Sequence, residues 1–187
     1  MHATSEPSVW IISGPSGVGK GTVCARVSEL HPEVHIPVSV TTRPPRPGEI
    51  NGISYHFITQ PQFEELKAAG ELLESAQVHG RHYYGTPRSD VTRAVADGRK
   101  VLLEIDLQGA RQVKRNMPEA RLVFLAPPSW EELIRRLKGR GTEDDSAVAR
   151  RLRTAEAELA AQREADFLLI NDRLEDTVQA LVSLLGL

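Results

Sequence analysis

Ten residues near the start of the chain, Ser13-Gly14-Pro15-Ser16-Gly17-Val18-Gly19-Lys20-Gly21-Thr22, constrain its fold more than any other stretch. They follow an apolar run, Val9–Ser13, and lead into a segment that reads as a helix. That order of strand, glycine turn and helix is the context of a phosphate-binding loop. Glycines at 14, 17 and 19 let the backbone curl until successive N–H groups converge on an anion, and the helix N-terminus adds a favourable dipole. Lys20 brings a compact positive charge to the β and γ phosphates of a nucleotide. A Ser or Thr commonly follows this lysine and approaches a magnesium ion, whereas here Gly21 follows it and Thr22 comes next. Two arrangements answer that departure: Thr22 acts from one position later, or Mg²⁺ is held largely through water and phosphate oxygens.

The rest of the chain alternates as an α/β fold requires. Val101–Ile105, Leu122–Leu125 and Phe167–Ile170 read as further short buried strands. Thr177–Leu185 repeats apolar residues at Val178, Leu181, Val182 and Leu185, and Val148–Glu164 carries Val148, Leu152, Ala155 and Leu159 on one stripe, so each covers a sheet face. Strands separated by such helices imply βαβ units and a parallel sheet. From Ile36 to Tyr84 the rhythm breaks into a Pro- and Gly-rich stretch, with strands at Tyr55–Ile58 and Leu72–Val78 around a helix near Gln62–Ala69. No flexible linker borders it, so it reads as an inserted lobe of one domain.

Composition narrows the partners. With 187 residues, 40% of them hydrophobic, the chain can bury an adequate core without disulfides, and Cys24 is its only cysteine. No apolar run approaches the ~18 residues of a membrane span and no secretory signal is visible, so a cytoplasmic protein without a membrane partner is expected. A net charge of −2 argues against a broad nucleic-acid surface, so an anionic partner should be small and bound locally.

Three further constellations carry chemistry. Ser39, Thr41, Thr42, Arg43, Pro44, Pro45, Arg46, Pro47, Gly48 and Glu49, followed by Asn51-Gly52 and Tyr55, hold two arginines in a proline-stiffened loop. Prolines restrict the backbone beforehand, so aiming two guanidinium forks at one phosphate costs less entropy. Glu104 and Asp106 alternate about Ile105 at the C-terminal end of a strand, where open α/β sheets bind ligands, and Gly109 then opens a helix. Arg136 and Arg140, four apart, share a helix face in a glycine-punctuated segment that precedes a helix bearing Arg151.

Together with Glu74 ahead of Tyr83-Tyr84-Gly85-Thr86, the Ala126-Pro127-Pro128-Ser129 run and Asn171-Asp172, these motifs resemble the guanylate kinases over nearly the whole chain, from about Val9 to about Leu184. The resemblance implies a P-loop fold with a parallel sheet core at about 8–35, 87–135 and 166–187. It also implies a GMP-binding lobe at about 36–86 and a helical lid at about 136–151. It implies transfer of the ATP γ-phosphoryl group to GMP, and to dGMP with it, using Mg²⁺. ATP would lie on Gly14, Pro15, Ser16, Gly17, Val18, Gly19, Lys20, Gly21 and Thr22, with Asn171 near the adenine. Ser39, Arg43, Arg46, Tyr55 and Tyr84 would hold the GMP phosphate, while Glu74, Thr86 and Asp106 would read the guanine. Lys20, Arg43, Arg136, Arg140 and Arg151 would stabilise the transferring group, and Thr22 and Glu104 would approach the metal, mostly through water. The family position of Glu104 is commonly Asp, so this chain carries a longer arm there. Two rival readings are a peptide-binding scaffold domain of the same fold, which would lack an intact phosphate loop, and a different small-molecule kinase, which would lack Glu74 with Thr86. Helix surfaces show no clear apolar seam, which leaves the oligomeric state open.

Overall fold

The structure, a computed structural model, describes residues 7–78, 80–138 and 145–187, with the backbone alone for 145–150. In chain order its elements are β1 (Val9–Ser13), α1 (Lys20–Leu30), β2 (Val40–Thr41), β3 (His56–Phe57), α2 (Gln60–Ala68), β4 (Leu72–Val78), β5 (His82–Pro87), α3 (Arg88–Ala96), β6 (Val101–Glu104), α4 (Leu107–Asn116), β7 (Arg121–Ala126), α5 (Trp130–Lys138), α6 (Asp145–Ala160), β8 (Phe167–Ile170) and α7 (Leu174–Leu185).

Every residue of β1 is buried. Side chains alternate across a strand, so Trp10 and Ile12 enter one core layer while Val9 and Ile11 enter the other. A strand apolar on both faces belongs inside a covered sheet, and β1 lies between β6 and β7 in the parallel order β6-β1-β7-β8. On one side α1 and α7 close the layer with Val23, Val27, Val178, Leu181, Val182 and Leu185. On the other, Val91 and Ala94 of α3 and Ala110 and Val113 of α4 do the same. Ala155 of α6 clusters with Leu133 and Leu137 of α5, with Leu152 and Leu159 beside them, so this apolar stripe covers a neighbouring helix and not the expected sheet face, while the Val148 side chain lies outside the described residues.

A second sheet, ordered β3-β2-β5-β4, is built from the Pro- and Gly-rich stretch. Its β2–β3 pair is parallel and its other two pairs antiparallel. Val40, Phe63 and Leu72 form its small core under α2. That helix begins at Gln60, two residues before the expected start, because the Thr59 hydroxyl accepts from the Gln62 amide while the Gln62 side chain accepts from the Thr59 amide. Leu73, on the opposite face of β4, enters the main core, and Gln112 of α4 bonds the Ser75 backbone at both N–H and C=O. β4 therefore pairs only in the second sheet but lends a side chain to the core of the first.

Three local expectations are revised. β8 forms over the expected residues but is not a buried strand: it is the sheet edge, with Phe167, Leu168 and Ile170 exposed at 37%, 50% and 50%. β2 and β5 escape the sequence reading because one is two residues long and the other contains Gly85 and ends on Pro87. α4 starts at Leu107 rather than Gly109, since the Asp106 carboxylate caps it by accepting from the Gly109 amide. Cys24 is buried and free. Among the described residues, no helix is long and apolar enough to cross a membrane.

Candidate active site

The loop between β1 and α1 curls with positive φ at Gly14, Gly17 and Gly19. A Cβ on Gly14 would overlap the Leu125 carbonyl oxygen of β7, and one on Gly19 would come 2.6 Å from Asn171 Nδ2, so neither position admits a side chain. Asn171 is buried and its Nδ2 donates to the Val18 carbonyl at 2.8 Å. Arg136 reaches the same carbonyl at 3.3 Å and the Asn171 carbonyl at 3.0 Å, while its Nε donates to Glu132 at 2.7 Å. Both side chains brace the loop at the Val18 carbonyl. Inside it, Lys20 Nζ donates to the Gly14 carbonyl at 2.5 Å. Burial holds the Lys20 ammonium below the usual lysine range, opposed by the nearby charges of Glu104, Glu158 and Asp106. Arg151 Nη2 donates to Ser16 Oγ at 2.8 Å. Arg140 lies outside the described residues.

Across from this loop, Arg43 is 8% exposed. Its Nε donates to the Tyr84 hydroxyl at 3.1 Å, and its guanidinium carbon lies 5.5 Å from the Tyr55 ring centre and 5.8 Å from that of Phe57. Its two terminal nitrogens grip Glu49 at 2.9 and 2.8 Å. Glu49 also accepts from the Arg46 backbone amide at 2.7 Å, which ties the proline loop to the arginine; Arg46 itself is exposed. The bidentate bond raises the Arg43 guanidinium further and pulls the Glu49 carboxyl down. Glu49 lies within the proline-rich motif, yet the spacing of the arginines carries no sign that this acid orients one of them.

Glu74, on β4, is only 4% exposed and accepts from the Thr86 hydroxyl at 2.7 Å. Burial pushes its carboxyl up to about 7, with the Thr86 bond opposing. α4 approaches it so closely that a Cβ on Gly109 would overlap Glu74 Oε2, which explains a glycine inside that helix. A cavity of about 220 Å³ is lined by Lys20, Ser39, Tyr55, Glu74, Tyr84, Glu104 and Asp106. It gathers the lysine of the phosphate loop, hydroxyls of the arginine-loop cluster and the buried acid around one space. A neighbouring cavity of about 260 Å³ shares Lys20 and Asp106 and adds Ser16, Thr154 and Glu158.

A magnesium ion fits this site only with most of its water. Among the described residues, no group of three or more His, Cys, Asp or Glu could cage a metal. The place of a Cβ on Gly21 is instead faced by the Glu104 carboxylate, with oxygens 3.4 and 3.6 Å away. Thr22 is exposed and lines neither cavity. A carboxylate is the hard oxygen donor that Mg²⁺ prefers, and one or two such donors beside phosphates suffice for it.

The family model for guanylate kinase matches residues 6–186. The guanylate kinase of Leifsonia xyli is 55% identical over 94% of this chain and 69% of its own length, and that of Cutibacterium acnes is 54% identical over 100% and 94%. The crystal structure of guanylate kinase from Anaplasma phagocytophilum superimposes with a TM-score of 0.81 at 32% identity, covering 97% of this chain and 86% of the other. The chain belongs to the guanylate kinase family, nucleoside monophosphate kinases that phosphorylate GMP with ATP.

Proposed function

We propose that this chain transfers the γ-phosphoryl group of ATP to GMP, and to dGMP, within the space between the phosphate loop and β4. The observation that carries the reading is the shared cavity, in which Lys20, Tyr55, Tyr84 and Glu74 face one another. ATP phosphates lie on the amides from Gly14 to Thr22, and Lys20 turns from the Gly14 carbonyl to the β and γ oxygens. The GMP phosphate is received by Ser39, Arg43, Arg46, Tyr55 and Tyr84, with Glu49 holding Arg43 beforehand. The ionised Glu74 accepts guanine N1–H and N2–H, with Thr86 fixing its rotamer and Asp106 alongside. Adenine offers neither donor, and a buried charged acceptor left unpaired costs on the order of 1–3 kcal/mol or more.

An oxygen of the GMP phosphate attacks the γ phosphorus in line, the bond to the β–γ bridging oxygen breaks, and ADP leaves. No general base is needed, because a phosphate monoester with a second pKa of roughly 6 is already a dianion at neutral pH. Charge spreading over the equatorial oxygens is met by Lys20, Arg43, Arg136, Arg140 and Arg151. Glu104, whose carboxylate stands beside Gly21, would hold Mg²⁺ through water, and the ion would supply positive charge against that of the phosphates.

ADP formation from ATP and Mg²⁺ with GMP, dGMP, AMP, CMP and UMP as separate acceptors tests the reading. Turnover with the guanine nucleotides and little with AMP is expected, and Arg43→Ala should cut GMP turnover by 10²-fold or more while ATP binding stays within twofold. Equal rates with all five acceptors would remove Glu74 as the reader. ATP binding without turnover of any acceptor would favour a scaffold domain.

A further inference from the structure

The chain passes between its two sheets twice: residues 36–39 lead into β2, and Thr86 and Pro87 lead from β5 into α3. Ser39 and Thr86 both belong to the GMP site proposed above, so the accuracy of these crossings decides where substrate-binding groups stand. Residues 36–39 line a cavity of about 630 Å³ together with Thr86, so one flank of this segment faces open space and packing there does not hold it. Pro37 fixes its own φ and restricts Ile36 before it. A stiff segment takes its direction from its root, and the root is His35.

His35 is tied on three sides. Its N–H donates to the Lys100 carbonyl at 2.8 Å and its carbonyl accepts from the Leu102 amide at 2.9 Å, which fixes its backbone beside β6. Its ring lies between two charged groups: Nε2 is 3.0 Å from Asp90 Oδ2, in the first turn of α3, and Nδ1 is 3.3 Å from Arg99 Nη1. A guanidinium can only donate, so Nδ1 accepts and Nε2–H donates to Asp90. Arg99 also donates to the Glu33 and Pro32 carbonyls at 3.1 and 3.3 Å, which keeps it in place against the ring. Two residues before Asp90, Arg88 donates to the Gly70 and Leu72 carbonyls at 3.0 and 3.2 Å. The first turn of α3 is thus gripped by the second sheet at the start of β4 and by His35 beside the first sheet. His35 stands four residues before Ser39, and Asp90 stands four residues after Thr86. One side-chain hydrogen bond therefore joins the roots of both crossings.

We infer that His35 is a positioning residue, whose imidazole, donating to Asp90, sets the two crossings against each other and so places Ser39 and Thr86 around GMP. The inference rests on the kinase reading above and gives His35 no contact with either nucleotide. The crossings carry GMP-binding groups and leave the phosphate loop untouched, so the loss of this bond belongs in KM for GMP rather than in kcat or ATP affinity.

Steady-state kinetics with ATP, Mg²⁺ and GMP, joined to an ATP titration and a thermal melt of each variant, provides the test. His35→Leu, which keeps bulk and loses the donor, is expected to raise KM for GMP about tenfold, with kcat within threefold and the dissociation constant for ATP within twofold. Asp90→Ala should do the same, and it carries the comparison alone if His35→Leu does not fold. The double variant should be no worse than either single one by more than about twofold, because the two side chains act as a pair. His35→Gln, whose amide still donates, and Asp90→Asn, which still accepts, should stay within about threefold of the parent chain. Arg93→Ala removes the exposed second partner of Asp90 and should leave the kinetics unchanged. A purely structural part for His35 would lower the melting temperature of His35→Leu and leave KM for GMP as it was, and that result overturns the inference. So would losses that multiply in the double variant, or a His35→Gln variant as poor as His35→Leu. Absence of GMP turnover in the unmodified chain overturns the kinase reading itself, and the inference with it.

Discussion

At the scale of single residues, Glu74 combines selectivity with a cost in stability. Its carboxyl titrates near 7 in the empty site because burial disfavours the charge. The ionised form accepts the two guanine donors, so GMP affinity should strengthen as pH rises from 6 to 8, by up to about tenfold per unit below the pKa. Calorimetric titration of GMP into the parent chain and into Glu74→Gln checks this, since the step contributed by the nucleotide phosphate itself persists in the variant. The sign for folding is opposite. A carboxyl whose pKa is raised on folding contributes stability that is fully present below about 4.5 and is lost as pH rises through about 7. The loss is on the order of 3 kcal/mol, so Glu74→Gln should melt higher than the parent chain at pH 8. Arg43 shows the converse arrangement: its charge is satisfied in advance by Glu49, so the fork is already ordered when a phosphate arrives.

Between elements, the decisive contact is that of α4 against β4. Gln112 ties the helix to the Ser75 backbone, Asp106 caps its start, and Gly109 leaves room for the Glu74 carboxylate. Gly109→Ala introduces a methyl group where Glu74 Oε2 now sits, and the carboxylate must give way. KM for GMP is expected to rise at least tenfold while the dissociation constant for ATP stays within twofold, because the phosphate loop is untouched. Steady-state kinetics with a parallel ATP titration would show it, and an unaltered KM would separate Glu74 from guanine recognition.

For the molecule as a whole, β4 of the second sheet packs Leu73 into the core of the first, and residues of the phosphate loop and α6 line a cavity around Lys20. Ligands that bind only the folded chain raise its stability by mass action, about 2.7 kcal/mol at a hundredfold excess over Kd. For a chain of 187 residues that corresponds to roughly 5–10 °C in Tm. ATP and GMP should each produce such a shift in a thermal melt, and the two together should exceed either alone because they occupy different parts of the site.

The chain's own order determined the phosphate loop, the parallel core and the arginine-bearing loop. Each is written in local terms: glycines set backbone angles, apolar residues repeat with the period of strand or helix, and prolines stiffen their neighbours. Val9–Ser13 and Phe167–Ile170 were legible as strands for that reason. Whether a strand lies at the centre or the edge of a sheet depends on its neighbours in space, and only the tertiary structure made β8 an edge. The same holds for contacts between distant segments. Glu104 beside Gly21, Gly109 against Glu74, Asn171 and Arg136 bracing Val18, and Arg151 on Ser16 join residues far apart in the chain. No periodicity records such pairs, because they arise from the packing of whole helices against a sheet rather than from the conformation of either segment alone.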